Sequence, residues 1–123
     1  MKKSKILVVE DDYDTQLFLS LFLGKYYEVD VCKSDLDCYA LLEKKEYHLI
    51  IMDIAIKGNK DGLQITKELK HSDQYKSIPI LCLSAHVLEN DKKSAYEAGV
   101  NVFLEKPVKN DNLLLTINQM IVS

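Results

Sequence analysis

The sequence predicts an α/β fold, a doubly wound five-stranded parallel sheet with five helices on its two faces. Strand-like runs recur at residues 5–9, 28–32, 48–53, 78–83 and 100–104, and each is followed by a segment with helical spacing. Helical crossovers between successive strands imply parallel pairing, and their right-handedness leaves few topologies. The first, third and fourth runs are apolar without alternation, which marks strands covered on both faces.

Taken in order, Lys5-Ile6-Leu7-Val8-Val9 forms the first strand and ends on Glu10-Asp11-Asp12. A helix is expected over residues 13–26, started by Asp12 or Asp14 and weakened or ended by Gly24. Leu17, Phe18, Leu21 and Phe22 fall on one stripe of it. Glu28-Val29-Asp30-Val31-Cys32 alternates polar and apolar residues, as an edge strand does. Ser34 or Asp35 opens a second helix through Leu36, Tyr39, Ala40 and Leu42. His48-Leu49-Ile50-Ile51-Met52-Asp53 is the third strand, stopping on a carboxylate. Lys57-Gly58-Asn59-Lys60 reads as loop, and Asp61-Gly62 starts a helix reaching about His71. The helical spacing of Leu63, Ile65 and Leu69 sets aside a hairpin turn at the Asp-Gly pair. The fourth strand covers residues 78–83, with Pro79 near its first residue, and ends on Ser84-Ala85. A polar helix over residues 88–98 closes at Gly99. The fifth strand, residues 100–104, runs into Glu105-Lys106-Pro107. A last helix covers residues 110–121, with Leu113, Leu114, Ile117, Met120 and Ile121 on its apolar side. Apolar central strands and an alternating second strand suit the flavodoxin-like order 2-1-3-4-5. That order reverses between strands one and three, where ligands sit beyond the carboxyl ends.

With 123 residues the chain makes one domain with its own core. Hydrophobic residues at 47% and charged residues at 28% sit at the globular average, which excludes a disordered chain. A net charge of −3 argues against a general grip on nucleic acid or anionic membrane. Cys32, Cys38 and Cys82 have no metal-ligand spacing and are expected to be reduced, buried thiols of a cytoplasmic protein. The basic start Met1-Lys2-Lys3-Ser4-Lys5 precedes an apolar run too short for a signal peptide, and no window approaches a membrane span.

The strand ends put polar groups on one rim. The first strand brings Glu10 and Asp11, the third Asp53, the fourth Ser84 and the fifth Lys106. Three crowded carboxylates repel one another and push at least one pKa up unless a cation intervenes. Oxygen-only ligands suit Mg²⁺, which keeps waters and takes a few carboxylates plus a phosphate oxygen. A lysine and a hydroxyl opposite would bind the remaining phosphoryl oxygens, which completes the parts needed for phosphoryl transfer. Each part has a plainer reading. Asp53 could start a turn, Glu10-Asp11-Asp12 could answer a helix dipole, Ser84 could be an N-cap and Lys106 a solvated lysine. Those readings are independent of one another, whereas a single shared site accounts for all the residues falling on one rim.

The chain resembles the receiver domain of two-component response regulators from end to end, over residues 1–123. The resemblance rests on Val8-Val9-Glu10-Asp11, Asp53, Asp61-Gly62, Ser84-Ala85, Ala98-Gly99 and Lys106-Pro107. It implies that Asp53 accepts a phosphoryl group from a phosphohistidine on a sensor histidine kinase or a histidine phosphotransfer protein. It implies Mg²⁺ held by Asp11 and Asp53 directly, by Glu10 through a bound water, and by the backbone carbonyl of Ala55. Ser84 would be the switch hydroxyl, Phe103 the aromatic switch, Lys106 a phosphoryl ligand, and the Lys106-Pro107 bond cis. The added charge would shift the surface of helix four, strand five and helix five, toward an unknown downstream protein or a homodimer. No direct nucleic-acid or membrane contact is implied. The chain ends after the last helix and is expected to be a stand-alone regulator or a domain of a longer protein.

The chain departs from the family's pattern in three places. The loop after Asp53 has no proline in Ile54-Ala55-Ile56-Lys57-Gly58-Asn59-Lys60 and is one residue longer, with Gly58 and Asn59 placed to absorb it. Phe103 has no hydroxyl, so a switch needing a tyrosine hydrogen bond is excluded. Ala55 and His86 stand at variable positions that tune hydrolysis, and His86 reads as solvent-facing rather than as a base. Catalytic content would be limited to self-phosphorylation and self-dephosphorylation. An aspartyl-phosphate phosphatase would need a second acid at Ala55, and a flavin carrier would be repelled by Glu10-Asp11-Asp12. A receiver-shaped interaction module that is never phosphorylated is the remaining alternative.

Overall fold

The computed structural model describes residues 3–56, 58–85 and 89–122. Its elements alternate: β1 (Lys5–Val9), α1 (Tyr13–Leu23), β2 (Glu28–Cys32), α2 (Asp35–Lys44), β3 (Leu49–Met52), α3 (Gly62–Lys70), β4 (Ile80–Ser84), α4 (Glu89–Ala98), β5 (Val102–Glu105) and α5 (Asn110–Val122). All strand pairs are parallel, in the order β2-β1-β3-β4-β5. That is the expected doubly wound sheet, with β2 and β5 at its edges.

Strand parity divides the core in two. Leu7, Val9, Ile50, Met52, Ile80 and Cys82 face α2, α3 and α4, where Cys38, Ile65, Leu69 and Ala95 complete one cluster. Ile6, Val8, Leu49, Ile51, Leu81 and Leu83 face α1 and α5, where Leu19, Leu23, Leu113 and Ile117 complete the other. Side chains alternate along a strand, so a run of apolar residues fills both layers at once. Each fully buried Leu or Ile contributes roughly 1.5–3 kcal/mol of transfer free energy.

Several expectations need correction. The stripe of Leu17, Phe18, Leu21 and Phe22 is not the buried side of α1; Leu19 and Leu23 are, and Leu17, Phe18 and Leu21 point to solvent. Phe22 is only partly buried against the second cluster, stacked on Phe18. In α2 the inward residues are Asp35, Cys38 and Leu42, while Leu36 and Ala40 are exposed. Helix α1 ends at Leu23, before the expected residue 26, with Gly24 at its cap. Strand β4 begins after Pro79, whose carbonyl accepts the Ile50 N–H at 3.0 Å, and β5 begins at Val102. The expected start of α4 at residue 88 and the surface place of His86 lie outside the described residues, as does Lys57. All three cysteines are buried and unbridged. No helix among the described residues is long and apolar enough to cross a membrane.

Candidate phosphoryl-acceptor site

The site grows from the ends of β1 and β3. Val9 pairs with Met52, so the next residues, Glu10 and Asp53, leave the sheet side by side. The ladder extends one step past each strand: Asp53 N–H donates to the Val9 carbonyl (3.0 Å) and Glu10 N–H to the Cys32 carbonyl (2.9 Å). Glu10 and Asp53 are buried although both are acids, and Asp11 is exposed beside them. Carboxylate oxygens of Glu10, Asp11 and Asp53 all lie within 4.8 Å of one another.

Each neighbour of this cluster has a separate task. Asp12 is not part of it, because its side chain caps α1 by accepting the Thr15 N–H (2.9 Å) and hydroxyl (2.7 Å). The Gln16 side-chain amide donates to the Glu10 carbonyl, fixing the turn between β1 and α1. Glu10 Oε2 accepts the Asp12 N–H at 3.2 Å, and Asp53 Oδ1 accepts the Ala55 N–H at 2.9 Å. Lys106 follows β5, and its N–H donates to the Ser84 carbonyl (2.9 Å). Its Nζ reaches Glu10 Oε1 at 2.5 Å and stands 3.8 Å from Asp53 Oδ2. The Lys106-Pro107 peptide is cis.

Burial pushes the Glu10 carboxyl above its ordinary value, against the Lys106 ammonium that pulls it down, and the charge of Asp53 adds to the upward push. Beneath Asp53, burial and then the Asp53 charge raise the Cys82 thiol to about 12. Cys82 is thus a neutral thiol and no nucleophile.

Glycine at position 62 is required by space. A Cβ there would stand 2.3 Å from the Asp53 carbonyl oxygen and 2.6 Å from the Ile54 Cα. The first turn of α3 therefore lies directly on the backbone of the acidic residue, held by an Asp61–Gln64 capping box. The Asp61-Gly62 pair signalled a helix start in the sequence; its close approach to Asp53 was not legible there. Nor was Gln16, which no spacing marks.

Ser84 is fully buried at the end of β4, beside β3, and Phe103 is buried in the α2–α3–α4 cluster. Ala55 is exposed at the mouth of the site. An open apolar groove of about 560 Å³ adjoins it, lined by Phe18, Leu19, Leu83, Pro107, Val108 and Leu113, with Ala85 and Lys106 at its edge.

The site is thus an all-oxygen acidic cluster at the sheet reversal of a doubly wound α/β domain, with the Lys106 ammonium against Glu10 and Asp53. The donor set fits a hard divalent ion, since it offers one carboxylate oxygen from each of Glu10, Asp11 and Asp53, all within 4.8 Å of one another. Known proteins narrow the class. The response regulator receiver domain family matches residues 6–118. The polar-differentiation response regulator DivK of Brucella anthropi is 27% identical over 117 residues, covering 95% of this chain and 94% of its own. Among solved structures, the chemotaxis protein CheY4 of Vibrio cholerae superposes with a TM-score of 0.87 at 26% identity, covering 96% and 98% of the two chains. The receiver domain of the sensor histidine kinase PA1611 of Pseudomonas aeruginosa, with a magnesium ion coordinated in its active-site cleft, superposes at 0.89 with 27% identity over 100% of both chains. This chain belongs to the response regulator receiver domain family.

Proposed function

We propose that this domain is a phosphorylation-controlled signalling receiver of the cytoplasm in which Asp53 is the phosphoacceptor. The observation that carries the reading is the Lys106 ammonium, 2.5 Å from Glu10 and 3.8 Å from Asp53 within a cluster of three carboxylates. Oxygen ligands gathered this closely suit a hard divalent cation. Asp11, Asp53, the Ala55 carbonyl and, through water, Glu10 would hold Mg²⁺. When bound, Mg²⁺ screens the charge of an incoming phosphoryl group.

An Asp53 carboxylate oxygen attacks phosphorus, the P–N bond of the donor phosphohistidine breaks, and the electron pair leaves with the imidazole. The product is an acyl phosphate on Asp53. Lys106, already beside Asp53, neutralises a phosphoryl oxygen, and the Ser84 hydroxyl binds another. The donor is a sensor histidine kinase or a histidine phosphotransfer protein, and the apolar groove leading to Lys106 suits a helix of that partner. Phe103, buried next to α4, couples the site to the face of α4, β5 and α5. Tyr96, Leu115 and Val122 are exposed there, which supports a protein-reading surface or a homodimer.

The test is incubation with acetyl phosphate and Mg²⁺, followed by intact mass measurement. One phosphoryl adduct is expected, absent in Asp53→Asn. No adduct on the parent would leave a receiver-shaped interaction module as the better reading.

A further inference from the structure

The β3–α3 loop has no proline between Asp53 and Asp61, yet it would have to present the Ala55 carbonyl to a metal. Its ends are fixed by burial and by backbone. Ile54 and Ile56 are buried, Ala55 N–H donates to Asp53, and Gly62 N–H donates to the Ile54 carbonyl at 3.3 Å. Between these ends, Gly58, Asn59 and Lys60 have no buried apolar anchor.

Three side chains from three elements close over this stretch. Lys60 Nζ pairs with Glu68 of α3 at 2.7 Å. The Tyr39 hydroxyl of α2 donates to the same carboxylate at 2.5 Å. The Lys60 ammonium also stands 5.5 Å from the centre of the Tyr39 ring, within cation–π range. Each member touches both others, so the loop is fastened to both flanking helices at one point. The Lys60 pair and then the Tyr39 hydroxyl hold the Glu68 carboxyl below its ordinary value.

We infer that Tyr39, Lys60 and Glu68 form a clamp that positions the β3–α3 loop, which has no proline to stiffen it, for metal binding. A proline narrows the conformations open to a loop; the clamp achieves the same narrowing through a closed triangle of contacts. The inference rests on the phosphoacceptor reading, and it makes the three residues positioning residues rather than ligands.

The molecule supplies its own control. Tyr47, Lys45 and Asp30 repeat the tyrosine–lysine–acid combination away from the site, with the Tyr47 hydroxyl 2.6 Å and the Lys45 Nζ 3.0 Å from Asp30. If such clusters only stabilise, the two behave alike. The experiment compares Glu68→Ala, Asp30→Ala and the exchange Lys60→Glu with Glu68→Lys. It reads the Mg²⁺ dissociation constant by calorimetry and, in metal-free protein, hydrogen exchange at the Ala55 amide.

Glu68→Ala should weaken Mg²⁺ and speed Ala55 exchange, each about two- to fivefold, the size expected for a partly exposed ion pair. The exchanged pair should recover part of both, and Asp30→Ala should move neither whatever it does to the melting temperature. Parent values in Glu68→Ala, or equal changes in Asp30→Ala, would overturn the clamp. Ala55 exchange needs no metal, so it judges the clamp separately. Unchanged Mg²⁺ affinity in Asp11→Ala would instead count against the phosphoacceptor reading.

Discussion

Lys106 holds two acids at once, and its removal should separate binding from chemistry. In Lys106→Ala the buried Glu10 loses the ammonium that opposes its desolvation, so its carboxyl should move further up. Phosphorylation by acetyl phosphate, followed by quench and mass measurement, should slow about a hundredfold, the cost of one preorganised charge partner. Mg²⁺ should bind at least as tightly, since a competing cation is gone. Gly62 carries a purely steric expectation. A Cβ 2.3 Å from the Asp53 carbonyl forces backbone to move, so Gly62→Ala should cost about 1–3 kcal/mol in denaturant unfolding. The acidic rim was legible residue by residue because apolar runs stop abruptly on Glu10 and Asp53. The closeness of Gly62 to that backbone was not, because it depends on how α3 is laid against β3.

At the scale of elements, α1 shows what periodicity can and cannot decide. Leu17, Phe18, Leu19, Leu21, Phe22 and Leu23 are all apolar, so several faces compete on pattern alone. The short connection through the Asp12 cap chooses the face, turning Leu19 and Leu23 inward. Leu19→Ala should therefore cost about 2–5 kcal/mol, whereas Leu21→Lys should stay within about 0.5 kcal/mol of the parent. The same urea titrations would contradict this account if the order were reversed. The Tyr39–Lys60–Glu68 clamp was illegible for a related reason: its members sit on three elements with no spacing that links them. Its counterpart at Asp30 sets a pH expectation. Burial raises the Asp30 carboxyl, but the Tyr47 and Lys45 hydrogen bonds outweigh it and the net value is below 3.8. A depressed folded value contributes stability that is present above the ordinary value and lost as pH falls through the folded one. Asp30→Asn should thus be less stable than the parent by roughly 0.5–1 kcal/mol at neutral pH, after solvent screening. In urea titrations at matched pH the difference should close below 3.8.

For the whole molecule, the parallel order β2-β1-β3-β4-β5 follows from which strands are apolar on both sides and which alternates. That order places the ends of β1 and β3 together at the reversal of the sheet, with β4 and β5 following on one side. The residues that matter are thus brought together by topology, although Glu10, Asp53, Ser84 and Lys106 are far apart in the chain. Architecture and rim were readable because they rest on runs and run ends; loop shape and helix faces rest on tertiary contacts. The central claim is that Asp53 itself takes the phosphoryl group. Borohydride reduction of acetyl-phosphate-treated protein converts an aspartyl phosphate to homoserine, and peptide sequencing by mass then locates it. Homoserine at position 53 and nowhere else is the predicted result; homoserine at Asp11 or Asp12, or at no position, would contradict the account.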